Sequence, residues 1–123
     1  MKLDHIQLAM LEGGEHQARS FFADTLGFIE EEKPEPLRGR GGCWFRNGDA
    51  IVHLGIDPNF VPQRKAHPAF LAADIGELAQ RLEQGGHPAQ WNEALPGRIR
   101  FYTSDPFGNR IEFMEAGQGS SEE

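Results

Sequence analysis

Four residues of this sequence are candidate ligands for a divalent transition metal because of their type and their spacing. Three are imidazoles and one is a carboxylate: His5, His53, His67 and Glu112. Donors of this kind suit Zn, Ni, Co, Fe(II) or Mn(II), and two histidines with one carboxylate are already enough to hold Fe(II). Any one of them alone could instead be an ordinary hydrogen-bonded side chain on a strand. A metal site therefore requires a fold that brings them together.

The spacing of these residues repeats along the chain. His5 and His53 are 48 positions apart, and His67 and Glu112 are 45 positions apart. In each half a histidine lies on the first predicted strand, and a histidine or a glutamate lies on the last one. The predicted order in both halves is one strand, one helix and three strands, which indicates an internal structural repeat. If the halves pack with pseudo-symmetry, their equivalent strands can place the four side chains around one centre.

Hydrophobic periodicity and turn residues locate the elements of this repeat. In the first half, strands are predicted at 3–10, 28–32, 43–46 and 50–55, with a helix at 15–26 and a mobile loop at 33–42. In the second half, strands are predicted at 67–73, 87–91, 99–103 and 111–114, with a helix at 74–84. The second helix has Asp74 as its N-cap and Glu77 at the capping-box position.

The turn in front of Glu112 is the most informative local pattern. Asp105-Pro106 followed by Gly108-Asn109 predicts a tight turn, because proline presets one φ angle and glycine admits a positive one. On the strand after the turn, Ile111 and Phe113 share one face and leave Glu112 on the other. An isolated carboxylate in that position points either to solvent or to a group that binds it.

The composition describes a soluble globular protein with one core. The chain has 123 residues, of which 38% are hydrophobic and 25% are charged, and this length suits a single domain. A net charge of −7 argues against nucleic acid or an anionic membrane surface as a partner. No apolar run reaches the roughly 20 residues of a transmembrane helix. Cys43 is the only cysteine, and the amino terminus lacks a signal-peptide pattern, so we expect a cytoplasmic protein.

Several segments resemble the vicinal-oxygen-chelate superfamily, which includes glyoxalase I, fosfomycin-resistance enzymes, extradiol dioxygenases and bleomycin-resistance proteins. They are Asp4-His5-Ile6, Ala50-Ile51-Val52-His53-Leu54-Gly55, Ala66-His67-Pro68-Ala69-Phe70 and Asp105-Pro106-Phe107-Gly108-Asn109-Arg110-Ile111-Glu112-Phe113. The resemblance implies an α+β fold in which two βαβββ modules form a cupped, half-open mixed sheet. We expect one glyoxalase-like domain at 1–116, with module one at 1–56, a linker at 57–65 and module two at 66–116, followed by a polar tail at 117–123.

The same resemblance implies roles for single residues. His5 matches the ligand on the first strand, His67 the ligand that opens the second module, and Glu112 the ligand on the last strand. His53 lies where glyoxalase I has glutamate, which departs from that enzyme and leaves a metal ligand possible there. We therefore expect all four to bind a divalent transition metal (Zn, Ni, Co, Fe or Mn), with Glu112 also acting as the catalytic proton carrier.

Four further residues are candidates for contacts with a substrate: Trp44, Phe60, Arg100 and Tyr102. The aromatic side chains could pack on a substrate, although filling the core is the more common role of such residues. Arg100 or its neighbour Arg98 could meet a substrate carboxylate, and either could instead be a solvated surface residue.

The sequence thus predicts a metal-dependent enzyme that acts on a small oxygen-chelating substrate, closest to the lyase or isomerase chemistry of lactoylglutathione lyase. The alternatives are an Fe(II) dioxygenase and a metal-free ligand-binding protein of the bleomycin-resistance kind. We expect a homodimer, because one cupped sheet leaves strand edges and an open face that two-fold pairing would cover. Whether the metal ligands meet within one chain or across two chains is left open.

Overall fold

The computed structural model describes residues 1–117, and these residues form two four-stranded mixed sheets. This arrangement confirms the predicted α+β fold with a repeated βαβββ module. Of the predicted polar tail, only Gly117 belongs to the described residues, and positions 118–123 lie outside them. No helix within the described part of the chain is both long enough and apolar enough to cross a membrane.

The first sheet contains the first four strands. Its elements are β1 (Ile6–Met10), helix α1 (Glu15–Arg19) with a π-helical continuation (Ser20–Thr25), β2 (Ile29–Glu31), a 3₁₀ helix (Glu35–Arg40), β3 (Cys43–Asn47) and β4 (Ala50–Ile56). The strand order is β1-β4-β3-β2, with β1 parallel to β4 and the other pairs antiparallel.

The second sheet repeats this order. Its elements are β5 (Ala69–Ala72), helix α2 (Ile75–Gln84), β6 (Gln90–Trp91), β7 (Arg100–Ser104) and β8 (Arg110–Glu115). The strand order is β5-β8-β7-β6, with β5 parallel to β8 and the other pairs antiparallel. Asp74 caps α2 as predicted, because its carboxylate accepts a hydrogen bond of 3.1 Å from the amide of Glu77.

The structure differs from the sequence prediction in the starts of two strands and in the type of two helical segments. The opening strands begin at Ile6 and Ala69, so His5 and His67 lie just before the strands that were predicted to contain them. For the second of these strands, Pro68 explains the late start because it has no backbone N–H to donate to a sheet. The predicted helix at 15–26 widens into π-helical geometry after Arg19. The loop predicted at 33–42 contains a 3₁₀ helix.

The core lies between the helices and the sheets and is rich in phenylalanine. Phe22 stacks on Phe45 in the first module with ring centres 5.4 Å apart, and Phe70 contacts Phe113 in the second at 5.8 Å. The ring of Phe28 meets that of Phe70 edge to face at 6.0 Å, and this aromatic contact joins the modules. Each such pair adds about 1 kcal/mol beyond its buried area.

The turn between β7 and β8 also joins the modules. Asp105 is only 3% exposed, and its carboxylate accepts hydrogen bonds of 2.9 Å from the amides of Phe107 and Asn109. The side-chain amide of Asn109 donates to Asp105 and, at 2.8 Å, to the carbonyl of Ala9 in β1. Gly108 supplies the positive φ of 90° that the turn requires. The turn motif therefore holds Glu112's strand against the first module.

We expect Asp105→Ala to lower the free energy of unfolding by about 3 kcal/mol, because it leaves two buried N–H groups without an acceptor. Urea denaturation followed by circular dichroism measures this change. Asp57→Ala is the matched control, since Asp57 accepts one bond from Asn59 in an exposed turn and should cost less than about 1 kcal/mol. Equal losses in the two variants would contradict a special role for the buried turn.

Candidate metal site

The first module brings His5 and His53 together. His53 lies in β4 opposite Gln7, two residues beyond His5. The two imidazole rings stack with centres 4.2 Å apart. On the other side His53 stacks on Trp44, which is opposite it in β3, with parallel rings and centres 3.8 Å apart. His53 is thus held between a second imidazole and an indole, and only 9% of it is exposed.

The second module brings His67 and Glu112 together. Nε2 of His67 is 2.9 Å from Oε1 of Glu112. Glu112 lies in β8 opposite Ala69, two residues beyond His67, and opposite Tyr102 in β7. The Tyr102 ring meets the His67 ring edge to face at 5.3 Å.

The two pairs occupy equivalent places in the repeat. In each module the second donor pairs, in the parallel ladder, with a residue that lies two positions after the first donor. These residues are Gln7, which pairs with His53, and Ala69, which pairs with Glu112. In each module an aromatic residue faces the second donor across the antiparallel ladder, Trp44 opposite His53 and Tyr102 opposite Glu112. The spacing of 48 and 45 positions in the sequence therefore corresponds to one repeated geometry.

In two histidines a hydrogen bond from Nδ1 fixes which ring nitrogen carries the proton. The other nitrogen, Nε2, is then free to bind a metal. Nδ1 of His67 is 2.8 Å from the carbonyl of Lys65, so this nitrogen carries the proton and donates it. Nε2 then presents its lone pair towards Oε1 of Glu112, and two such electron-rich atoms need a proton or a metal cation between them. Nδ1 of His5 is likewise 2.8 Å from the carboxylate of Asp4, which leaves Nε2 of His5 as the free donor. The donor set fits a divalent transition metal.

Electrostatics keep these groups in the forms that bind metals. Burial alone would raise the pKa of Glu112, but the neighbouring His67 and Arg100 reverse that effect and lower it. The guanidinium of Arg100 binds Oε2 of Glu112 at 3.1 Å and is itself held by Tyr102 at 3.2 Å and Asn92 at 3.1 Å. Burial, followed by the nearby His5, lowers the pKa of His53. Glu112 is therefore ionised and His53 neutral near pH 7.

The four donors do not form one cluster within a chain. Across residues 1–117, no three His, Cys, Asp or Glu side chains converge on a point where they could hold a metal. The fold instead builds two half-sites of two donors each, which we call the first half-site (His5 and His53) and the second half-site (His67 and Glu112). Cys43 belongs to neither, and burial raises the pKa of its thiol to about 11.

The residues expected to contact a substrate lie at or near these half-sites. Trp44 packs on His53, while Tyr102 and Arg100 surround Glu112 and His67. Phe60 lines a cavity of about 420 Å³ that His67 also lines. Their contact with a substrate remains a prediction.

Sequence analysis missed three groups that support the donors. Asp4 could have been found, because it adjoins His5 in the sequence. The carbonyl of Lys65 and the side chain of Asn92 carry no such signal. Their contacts with His67 and Arg100 depend on how the linker and the loop before β7 fold back on the sheet.

Known structures with the same fold are numerous. A glyoxalase family protein from Bacillus anthracis is 49% identical, with a TM-score of 0.89 and coverage of 94% of each chain. A fosfomycin resistance protein from Listeria monocytogenes is 14% identical, with a TM-score of 0.76 and coverage of 94% of this chain and 93% of its own. A lactoylglutathione lyase from Agrobacterium tumefaciens is 21% identical, with a TM-score of 0.69 and the same coverages. The last two share the fold alone.

The family assignment rests on the sequence match together with the fold. No curated protein sequence matches the chain significantly. The family model of the Glyoxalase/Bleomycin resistance protein/Dioxygenase superfamily matches residues 2–113, which include both half-sites. With this match, the repeated βαβββ fold and the B. anthracis relative, the chain belongs to the Glyoxalase/Bleomycin resistance protein/Dioxygenase superfamily.

Proposed function

We propose that this chain is a metal-dependent enzyme that acts on a small oxygen-chelating substrate, with chemistry closest to that of glyoxalase-type lyases and isomerases. The observation that carries the proposal is the pair formed by His67 and Glu112. Its nitrogen and oxygen atoms are 2.9 Å apart, and the His67 proton is directed away to the Lys65 carbonyl. A protein that only stores a ligand has no need for two such half-sites. The lactoylglutathione lyase with the same fold supports this choice.

We further propose that the active form is a homodimer in which the first half-site of one chain meets the second half-site of its partner. Each half-site supplies two donors, whereas catalytic metal sites use three or four protein ligands. His5 keeps 38% of its side chain exposed, and Asp4 beside it keeps 89%, so this side of the first half-site is open to a partner. A two-fold axis would complete two equivalent sites at once.

In this proposal each residue has a defined task. His5, His53, His67 and Glu112 would hold the metal, which supplies Lewis acidity to a bound oxygen when present. Oε1 of Glu112 would give up its place as a ligand to a substrate oxygen, accept a proton from the carbon next to a substrate carbonyl and return it to the neighbouring carbon. Oε2 stays bound to Arg100, so the carboxylate is oriented before the substrate arrives. Tyr102 and Trp44 line the two sides of the centre.

Elemental analysis of protein purified without a histidine tag tests the proposal. We expect about one transition metal ion per chain, since a dimer would contain two complete sites. His67→Ala should lose this metal. His16→Ala should keep it, because His16 is an exposed helix residue outside both half-sites.

The outcome also separates the alternatives. Bound Ni, Co or Zn would support lyase or isomerase chemistry, whereas bound Fe would favour the dioxygenase alternative. A wild-type chain that takes up none of these metals on reconstitution would contradict the proposal. The metal-free binding protein would then be the better description.

A further inference from the structure

Arg98 lies on the same side of the molecule as the second half-site and has no ionic partner in the described part of the chain. Arg98 is half-buried, and its Nε is a buried atom with no hydrogen-bond acceptor. Its Nη2 contacts only the sulfur of Met114 at 3.6 Å, and a thioether is a weak acceptor. Among residues 1–117, no carboxylate forms an ion pair with it. A half-buried guanidinium that lacks such partners is costly unless something else supplies an anion.

Arg100, two residues further on, also has a buried Nε without an acceptor, but the two arginines differ in the partners of their Nη atoms. The Nη atoms of Arg100 bind Glu112, Tyr102 and Asn92, so both of its terminal nitrogens already have oxygen acceptors. The two arginines therefore differ in role although they are similar in sequence context. Arg100 positions Glu112, and Arg98 retains donors for a ligand.

Arg98 lies on the same face of the sheet as the candidate metal site. Its guanidinium contacts Met114, which is two residues beyond Glu112 in β8, and alternate residues of a strand share a face. Met114 is also opposite Arg100 in the antiparallel ladder. The order along this face is thus Glu112, Arg100 and Arg98, with Arg98 farthest from the second half-site.

A cavity of about 420 Å³ opens beside the two arginines. Its apolar walls include Trp91, Leu95 and Ile99, all of them exposed. Glu93 also lines this cavity, but it is exposed to solvent and forms no ion pair with either arginine. The cavity therefore places the partly desolvated guanidinium of Arg98 next to apolar surface, which suits a carboxylate on a short carbon chain.

We propose that Arg98 and this cavity form a carboxylate subsite, so that the substrate is an anion with a pair of chelating oxygens at one end and a carboxylate at the other. This inference deepens the proposed function and rests on it for the chelating end. The carboxylate end rests on Arg98 alone. Arg98 is here a specificity-determining residue and takes no part in the proton transfer.

Nuclear magnetic resonance of the ¹⁵N-labelled, metal-free full chain tests the carboxylate end by itself. Butyrate should shift the Arg98 Nε–H resonance saturably, and the neutral isostere butyramide should not. The resonance is assigned by its loss in Arg98→Gln. Equal shifts with both compounds, or no shift with butyrate, would overturn the subsite. A propylphosphonate that binds tighter than butyrate would overturn the carboxylate assignment.

A matched pair of hydroxamates tests both ends in the Zn²⁺-loaded protein. Succinic acid monohydroxamate and its methyl ester share one chelating head and differ in the carboxylate. By calorimetry the acid should bind the wild-type chain about tenfold tighter than the ester, because a charge-assisted pair with Arg98 is lost in the ester. Arg98→Gln should remove this preference. Arg81→Gln, an exposed arginine on α2 outside the cavity, should keep it.

The two proposals can fail separately. If butyrate shifts Arg98 but the methyl ester hydroxamate does not bind the Zn²⁺-loaded chain, the metal-dependent function is wrong and the anion subsite stands. If both hydroxamates bind equally and butyrate has no effect, the chelating site stands and the carboxylate subsite is wrong.

Discussion

Replacing Glu112 with glutamine should lower the rate of proton abstraction next to a substrate carbonyl by about 10²- to 10⁴-fold. Glutamine keeps the shape of the side chain and one oxygen that can bind a metal, but its amide cannot accept a proton at neutral pH. Glu112 is 5% exposed and lies between His67 and Arg100. The variant should therefore fold normally, because the glutamine oxygen can still accept from Arg100 and its NH₂ group can donate to Nε2 of His67.

Deuterium uptake from D₂O into hydroxyacetone measures this step directly, because the compound offers two adjacent oxygens and an exchangeable C–H. The reaction is followed by proton nuclear magnetic resonance with both proteins at saturating Zn²⁺, so that a change in metal affinity does not enter the rate. Glu115→Gln is the control, since Glu115 lies on the same strand three residues on and therefore on the opposite face. A Glu112→Gln variant as fast as the wild type, or a wild type that exchanges nothing, would contradict the assignment.

The sequence was sufficient to predict the repeat because the signals that define it are local. Alternation placed Glu112 opposite to Ile111 and Phe113, and the structure buries both of these residues completely or nearly so. The N-cap residue Asp74 of α2 and the glycine of the β7–β8 turn act over a few positions only, and both appear where expected. Such patterns depend on backbone geometry that every strand, turn or helix start shares.

The parts that the sequence did not predict depend on distant contacts. The start of β5 moved past His67 because Pro68 has no N–H for the ladder with β8, and hydrophobic alternation does not register this loss of pairing. Arg100 was a candidate for substrate contact, but its engagement by Asn92 is set by the loop before β7. Likewise, nothing in the spacing of the four donors indicated that one chain would hold them as two separate pairs.

Those separate pairs lead to the second large prediction, a complementation between two inactive variants. One variant carries His5→Ala and His53→Ala and lacks the first half-site. The other carries His67→Ala and Glu112→Ala and lacks the second. Each homodimer should bind almost no metal, because every site in it would lack two of its four ligands.

A mixed dimer should recover half of the sites. In a two-fold dimer with shared sites, one site would receive both damaged half-sites and the other both intact ones. Co-expression with two different affinity tags, neither of them polyhistidine, allows the mixed dimer to be isolated. Elemental analysis should then find about half of the wild-type metal content per chain, against nearly none in either parent.

The alternative geometry predicts a different result. If each site formed within one chain, every chain of the mixed dimer would carry a damaged site, and mixing would restore nothing.

A control dimer combines a wild-type chain with a chain that carries all four substitutions. The only intact donors in this dimer belong to the wild-type chain. In a shared-site dimer this control should bind no metal, since each site would combine a damaged and an intact half-site. With sites inside one chain it should keep half. The two mixed dimers therefore give opposite results for the two geometries, and together they decide where His67 and Glu112 find their remaining partners.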